Sequence, residues 1–182
     1  MMAAYNVWSN SRVYGAAREL PEVDYRADHG AFFGSIHGTL NHILIGDRIW
    51  MYVFTGQGRK PTELDAILYD TLDSLHAARR AEDARIVDYV ASLTESDLAG
   101  TVRYSTLRSP ADIEQKLAPL LIHFFNHQTH HRAQAHTLLT RLTGKAPSLD
   151  LVMFQRETGI SLVSGQGGDF SRPEVRPAPR PA

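Results

Sequence analysis

The chain has 182 residues, of which 43% are hydrophobic and 21% are charged, and both values are ordinary for one soluble globular domain. Its 19 basic and 20 acidic side chains give a formal net charge of -1, so the charge balance does not favour nucleic acid or a membrane surface as the main partner. Cysteine is absent, which excludes disulfides and thiolate ligands and leaves His, Asp and Glu for any metal site.

Helical spacing of apolar residues predicts the first two long elements. Residues 2–18 form the first helix, which Pro21 ends, and residues 21–30 are polar and turn-like. The strongly apolar segment 31–54 repeats mostly at three- and four-residue steps, which predicts a second helix. Neither the polar and aromatic first ten residues nor any later segment has the apolar run of a signal peptide or a membrane span. We therefore expect a cytoplasmic protein with no membrane partner.

The second half of the chain predicts two further helices. Residues 70–93 indicate a helix with one solvent-exposed face, and residues 98–107 favour a short strand or hairpin. The longest helical pattern covers 110–142, with Ser109 as its N-cap and Pro110 at the first helical position. Pro119 lies inside this pattern and indicates a kink or a late helix start.

These elements together predict an all-α four-helix bundle. Residues 149–157 add a short helical or extended piece that packs on the bundle, so the domain is expected to cover residues 1–159. Residues 160–182 are rich in Gly, Pro and Arg and predict a flexible tail.

Five of the nine histidines lie within fourteen residues of the fourth predicted helix. At about 100° per residue, His131 lies roughly 30° and His127 roughly 70° from the centre of the apolar stripe. The remaining three lie about 110° or more away and are His123, His130 and His136. A single inward histidine is usually a hydrogen-bonded core residue, whereas two at i and i+4 lie about 5–6 Å apart and can approach one ion. For this pair the two interpretations are about evenly matched.

A third ligand has to come from another helix, and the second helix offers His37 and His42. His42 has the small neighbours Gly38, Thr39 and Gly46, which leave room for an ion, whereas His37 projects about 140° away. We therefore predict one divalent metal ion held by His42, His127 and His131, with His37 as the alternative to His42.

Motifs of other catalytic sites do not occur in the chain. Gln128 follows His127 where the HExxH motif of metalloproteases needs glutamate. The Glu-x-x-His pairs of di-iron bundles, the phosphate-binding loop and the GxSxG motif are also absent from the sequence.

Two segments carry a resemblance to a known family. Residues 30–44 read GAFFGSIHGTLNHIL, followed by DRIW at 47–50, and residues 123–134 read HFFNHQTHHRAQ. Together they closely resemble the DinB family of damage-inducible four-helix-bundle proteins, as do YNVWSN at 5–10 and LDL at 149–151. The resemblance extends over about residues 4–157, and one departure is Ala133, where glycine is common in the family.

The resemblance implies a site of three histidines, which correspond to His42, His127 and His131. It also implies zinc or nickel as the metal, a role in stress response, and a homodimer. Related bundles are transferases and isomerases that use a low-molecular-weight thiol.

Two functional hypotheses remain open. The first is a metal-dependent transferase or hydrolase with a small-molecule substrate, because three protein ligands leave a coordination position open. The second is a non-catalytic metal-binding stress-response protein, whereas direct binding of nucleic acid has little support from the charge. The catalytic residues stay unassigned. Candidates for contacts around the ligands are Asn41, Asp47, Asn126 and Arg132, although surface hydrogen bonding is the more ordinary role for Arg132.

Overall fold

The computed structural model describes residues 1–105 and 112–161 of the chain. Its helices are, in chain order, α1 Met2–Arg18, α2 Glu22–Arg26, α3 Ile36–Thr55, α4 Leu72–Ser92, α5 Glu95–Ala99, α6 Leu117–Thr143 and α7 Leu151–Glu157. Strands β1 Thr101–Tyr104 and β2 Ile113–Lys116 pair antiparallel, with Thr101 opposite Lys116. The predicted all-α class and the hairpin before the last long helix are thus confirmed.

The four long helices α1, α3, α4 and α6 pack around one another as a bundle. Helix α3 lies between α4 and α6, and α1 contacts α4 and α6 on the opposite side. In the described ranges, no helix combines the length and the apolar character needed to cross a membrane.

Two apolar clusters stabilise the bundle, one on each side of a polar middle layer. The larger cluster includes Val13, Tyr14, Leu40, Leu44, Leu75, Leu138 and Leu139. The smaller cluster comprises Ala3, Met51, Ile86, Phe124 and Phe125. Each of the four long helices contributes to both clusters. The part of each helix that lies between its two contributions therefore belongs to the middle layer.

Helix boundaries follow local capping chemistry and differ from the sequence prediction in several places, among them residues 98–99, which lie in α5 rather than in the predicted strand or hairpin. Helix α3 begins at Ile36 rather than at residue 31, because the Ser35 hydroxyl caps it by accepting from the Gly38 amide. The segment 21–30, predicted to be turn-like, contains the five-residue helix α2. Helix α6 begins late, at Leu117, because the preceding residues pair as β2.

The late start of α6 confirms one of the two alternatives indicated by Pro119. The proline occupies the third position of the helix, where the backbone N–H has no intrahelical acceptor and its loss costs little. Lys116 is the residue at the N-cap, and the predicted cap Ser109 with Pro110 lies outside the described residues. Most of the tail predicted for 160–182 also lies outside them.

Candidate metal centre

The structure brings His42 of α3 together with His127 and His131 of α6. One ring nitrogen from each histidine lies within 4.8 Å of the other two. Ring centroids are 4.3 Å apart for His42 and His131 and 4.4 Å apart for His127 and His131. The inward direction predicted for the histidine pair is therefore confirmed, and His123 and His130 are exposed as expected.

His37, the alternative to His42, is buried but faces away from this group. Its Nε2 bonds the carbonyl oxygen of Tyr69 at 2.9 Å, and its Nδ1 lies 3.1 Å from the Arg26 guanidinium. Its ring nitrogens therefore have partners of their own, and the structure selects His42 as the member of the pair that meets α6.

Close packing of α3 against α6 depends on Gly46. A Cβ atom at this position would lie only 2.6 Å from Cε1 and 3.2 Å from Nδ1 of the His127 ring. Since Gly46 is one helical turn after His42, the α3 backbone can pass directly against the imidazole of α6. Gly46 was expected to leave space for an ion, but the space beside it is occupied by the ring of His127.

Hydrogen bonds fix the tautomers of His42 and His131. His42 Nδ1 lies 2.7 Å from the Leu64 carbonyl oxygen, which can only accept, so this nitrogen carries the proton. In the same way, His131 Nδ1 donates to Gln134 Oε1 at 2.8 Å. In both neutral rings Nε2 therefore carries a lone pair, and the two Nε2 atoms face each other at 3.2 Å.

Burial keeps these imidazoles neutral. The pKa of His42 is lowered to about 4, mainly by desolvation; the Leu64 hydrogen bond opposes this shift and the neighbouring His131 adds to it. Desolvation also lowers the pKa of His127 to about 3, assisted by the adjacent histidines, and shifts the pKa of His131 downward. His127 Nδ1 is buried and has no hydrogen-bond partner among the described residues.

A tight turn before α3 places an aromatic ring over the site. Phe33 stacks on His42 with ring centroids 3.7 Å apart and an angle of 18° between the planes. Phe33 and His131 also make an edge-to-face contact, with ring centroids 5.6 Å apart. Gly30 and Gly34, both with positive φ, flank this turn, and an isolated bridge joins Ala31 to Gly34. Phe33 therefore shields one face of His42 from solvent.

Asn41 and Arg132, two of the side chains expected around the three histidines, have other partners. The Asn41 side-chain oxygen accepts from the backbone amides of Leu68 and Tyr69, and Asn126 is exposed. Arg132 is buried and bonds Asn6, so its expected surface role is wrong.

The groups that form hydrogen bonds with the rings of His42 and His131 are the Leu64 carbonyl and Gln134. Sequence reasoning missed both. Gln134 could have been found, because it lies three residues after His131 and so on the same face of α6.

Asp47 belongs to a buried ionic group beside the histidines. Arg79 Nη1 donates to Asp47 at 2.5 Å, and Arg79 Nη2 lies 3.1 Å from Asp83. Gln128, the residue after His127, donates to the other oxygen of Asp47 at 2.9 Å. Burial raises the pKa of Asp47 to about 6, although the charge of Arg79 opposes this shift. The group connects α3, α4 and α6 in the layer that contains the three histidines.

The donor set fits a divalent metal ion. Two nitrogens bound to one tetrahedral ion at about 2.0–2.1 Å lie roughly 3.3–3.4 Å apart, close to the 3.2 Å between His42 Nε2 and His131 Nε2. Imidazole nitrogen suits zinc and nickel alike. His42 and His131 therefore lie at the spacing of two ligands of one ion, whereas the nitrogens of the whole group are within 4.8 Å of one another.

Comparisons with known proteins agree with this architecture. The family model described as "DinB family" matches residues 1–166. Protein DinB of Bacillus subtilis (strain 168) is 29% identical over 151 residues, which cover 78% of this chain and 84% of that protein. The family match covers most of the sequence, including both helices that carry the three histidines. The chain belongs to the DinB family.

Proposed function

We propose that this protein binds one divalent metal ion, zinc or nickel, through His42, His127 and His131. The observation that carries the proposal is the pair of Nε2 atoms 3.2 Å apart, each of which carries a lone pair because the ring proton is on Nδ1. Two neutral acceptors at this distance form no hydrogen bond, and burying them together without a partner is unfavourable. A cation between them satisfies both, and the third histidine of the group completes the donor set.

The function proposed for the site is that of a metal-dependent enzyme of the transferase or hydrolase type. The bound ion would supply Lewis acidity, which lowers the pKa of a water molecule or of a low-molecular-weight thiol and makes it a nucleophile near neutral pH. The chain itself orients the ligand rings through the Leu64 carbonyl and Gln134. Phe33 covers one face of His42 and keeps solvent from it. Three protein ligands leave a position for a small-molecule substrate.

Metal content tests the binding proposal. Protein purified without added metal is analysed for bound elements, and metal-free protein is titrated with zinc and with nickel by calorimetry. We expect about one ion per chain and a loss of binding of at least about 100-fold in His131→Ala. His130→Ala removes the adjacent exposed histidine of α6 and should bind metal like the natural protein. Equal binding by the two variants would refute the assignment.

Activity tests the enzymatic part separately. Metal-loaded protein is incubated with a low-molecular-weight thiol and a general electrophile, and the rate is compared with that of His131→Ala. A faster reaction with the natural protein supports thiol transfer. If the metal-loaded natural protein reacts no faster than His131→Ala, the non-catalytic stress-response alternative is favoured.

A further inference from the structure

A cavity lies beside the segment that contacts His42. It has a volume of about 410 Å³, within the usual range for sites that bind small molecules. It lies between α3 and the segment from residue 59 to residue 69. The charged side chains that line it are Arg48, Arg59, Lys60 and Glu63. Three cations and one carboxylate therefore line this cavity, although the chain as a whole carries slightly more acidic than basic side chains.

The cations of this cavity are poorly neutralised by nearby carboxylates. Glu82 is the acidic partner of Arg48 at 3.6 Å, and the same carboxylate is shared with Arg85 at 2.8 Å. Within the described ranges, neither Arg59 nor Lys60 has an acidic side chain within 4.0 Å, and Lys60 Nζ lies 5.9 Å from the ring centre of Tyr52. The wall of the cavity therefore carries a net positive charge that the nearby carboxylates do not neutralise.

Arg48, a half-buried cation of this lining, is held in position. Arg48 Nη2 donates to the Tyr69 hydroxyl at 3.0 Å, and its guanidinium carbon lies 5.4 Å from the centre of the Tyr69 ring. Its side chain is 25% exposed, so the guanidinium remains accessible to a ligand while its orientation is fixed. A fixed guanidinium loses less conformational freedom on binding an oxyanion than a free surface arginine does.

The geometry points to a binding site for a small oxyanion, a molecule that carries a phosphate or a carboxylate group, between Arg48, Arg59 and Lys60. Guanidinium and ammonium groups bind such oxygens through charge-assisted hydrogen bonds, which are stronger than neutral ones. The cavity lining includes none of the three histidines, although the segment that lines it also presents its Leu64 carbonyl to His42. Binding to the cavity can therefore be measured on metal-free protein.

Calorimetric titration of the full-length, metal-free protein tests this site with two probes, inorganic phosphate and succinate, at pH 7 and low ionic strength. At least one of the two should bind, and their relative affinities identify the preferred oxyanion. Sodium chloride at matched ionic strength should produce no saturable heat. If neither probe binds, the proposal is overturned.

Three variants locate the binding. Arg59→Gln removes an exposed cation with no ionic partner, so it should fold normally and weaken binding by about fivefold. Glu63→Gln removes the one carboxylate of the lining and should strengthen binding by about twofold. Arg103→Gln removes an 82% exposed arginine of the hairpin, which does not line the cavity, and should leave binding unchanged. Equal effects of Arg59→Gln and Arg103→Gln, or weaker binding by Glu63→Gln, would overturn the proposal.

Discussion

The sharpest test of the metal centre is the replacement of Gly46 by alanine. The added Cβ would lie 2.6 Å from His127 Cε1, whereas ordinary contact begins at 3.4 Å. The ring of His127 would therefore have to retreat by about 0.8 Å, the difference of these two distances. Metal–nitrogen distances tolerate only about 0.2 Å, so this displacement removes one ligand from the productive geometry.

We expect Gly46→Ala to weaken zinc binding by about 10- to 100-fold, the range found when the support of a ligand is lost. Gly15→Ala is the matched control, since it changes glycine to alanine within α1 where no atom lies within 4 Å of the new Cβ. It should leave zinc affinity unchanged and raise the free energy of unfolding by about 0.5–1 kcal/mol, because alanine is the better helix former. Calorimetric titration and urea denaturation measure the two quantities.

A double-mutant cycle separates the clash from other effects of the methyl group. In a His127→Ala background the ring is absent, so Gly46→Ala should have no further effect on the residual metal affinity. Unchanged zinc affinity in the single variant Gly46→Ala would refute the reasoning, because His127 would then bind metal from another position or not at all.

Three further predictions concern the surroundings of the site. Gln134→Leu removes the acceptor of the His131 Nδ1 proton and should weaken zinc binding by about 10- to 100-fold with little change in stability, as measured by titration and thermal melting. Arg79→Met leaves Asp47 buried without its cation and should lower the free energy of unfolding by about 3–5 kcal/mol in urea, and a loss below about 1 kcal/mol would contradict this expectation. Removing metal with a chelator should leave the far-ultraviolet circular dichroism unchanged, since neither apolar cluster includes any of the three histidines. It should lower the melting temperature only by the free energy that metal binding adds to folding.

Apolar periodicity predicted the long helices well because each of them buries one side against the bundle. The first predicted helix agrees with α1 at both ends, and the third agrees with α4 to within two residues. The fourth failed at its start, because residues 113–116 pair with β1 and their local sequence alone does not reveal this partner. Helix α2 has only five residues, too short for periodicity to distinguish it from a turn.

The candidate site was predictable only where it depends on side-chain direction along a helix. The directions of His127 and His131 follow from 3.6 residues per turn, and the small neighbours of His42 favoured it over His37. The contact of His42 with Leu64 could not be predicted, because a backbone carbonyl carries no sequence signature and depends on the path of the connecting segment. Asp47 was expected to contact one of the histidines, but it binds Arg79. The sequence alone does not show that a buried arginine of α4 faces Asp47.

The position of the three histidines follows from the polar layer between the two apolar clusters. All four long helices contribute polar side chains to this layer, among them Asn6 of α1, Asp47 of α3, Arg79 of α4 and Gln128 of α6. A shift of any of these helices by one turn would move a buried polar group into an apolar cluster and leave its partner unpaired, at a cost of several kcal/mol. The layer thus specifies how the helices align along the bundle. Because Gln128 directly follows His127, this alignment also brings the histidines of α6 to the level of His42.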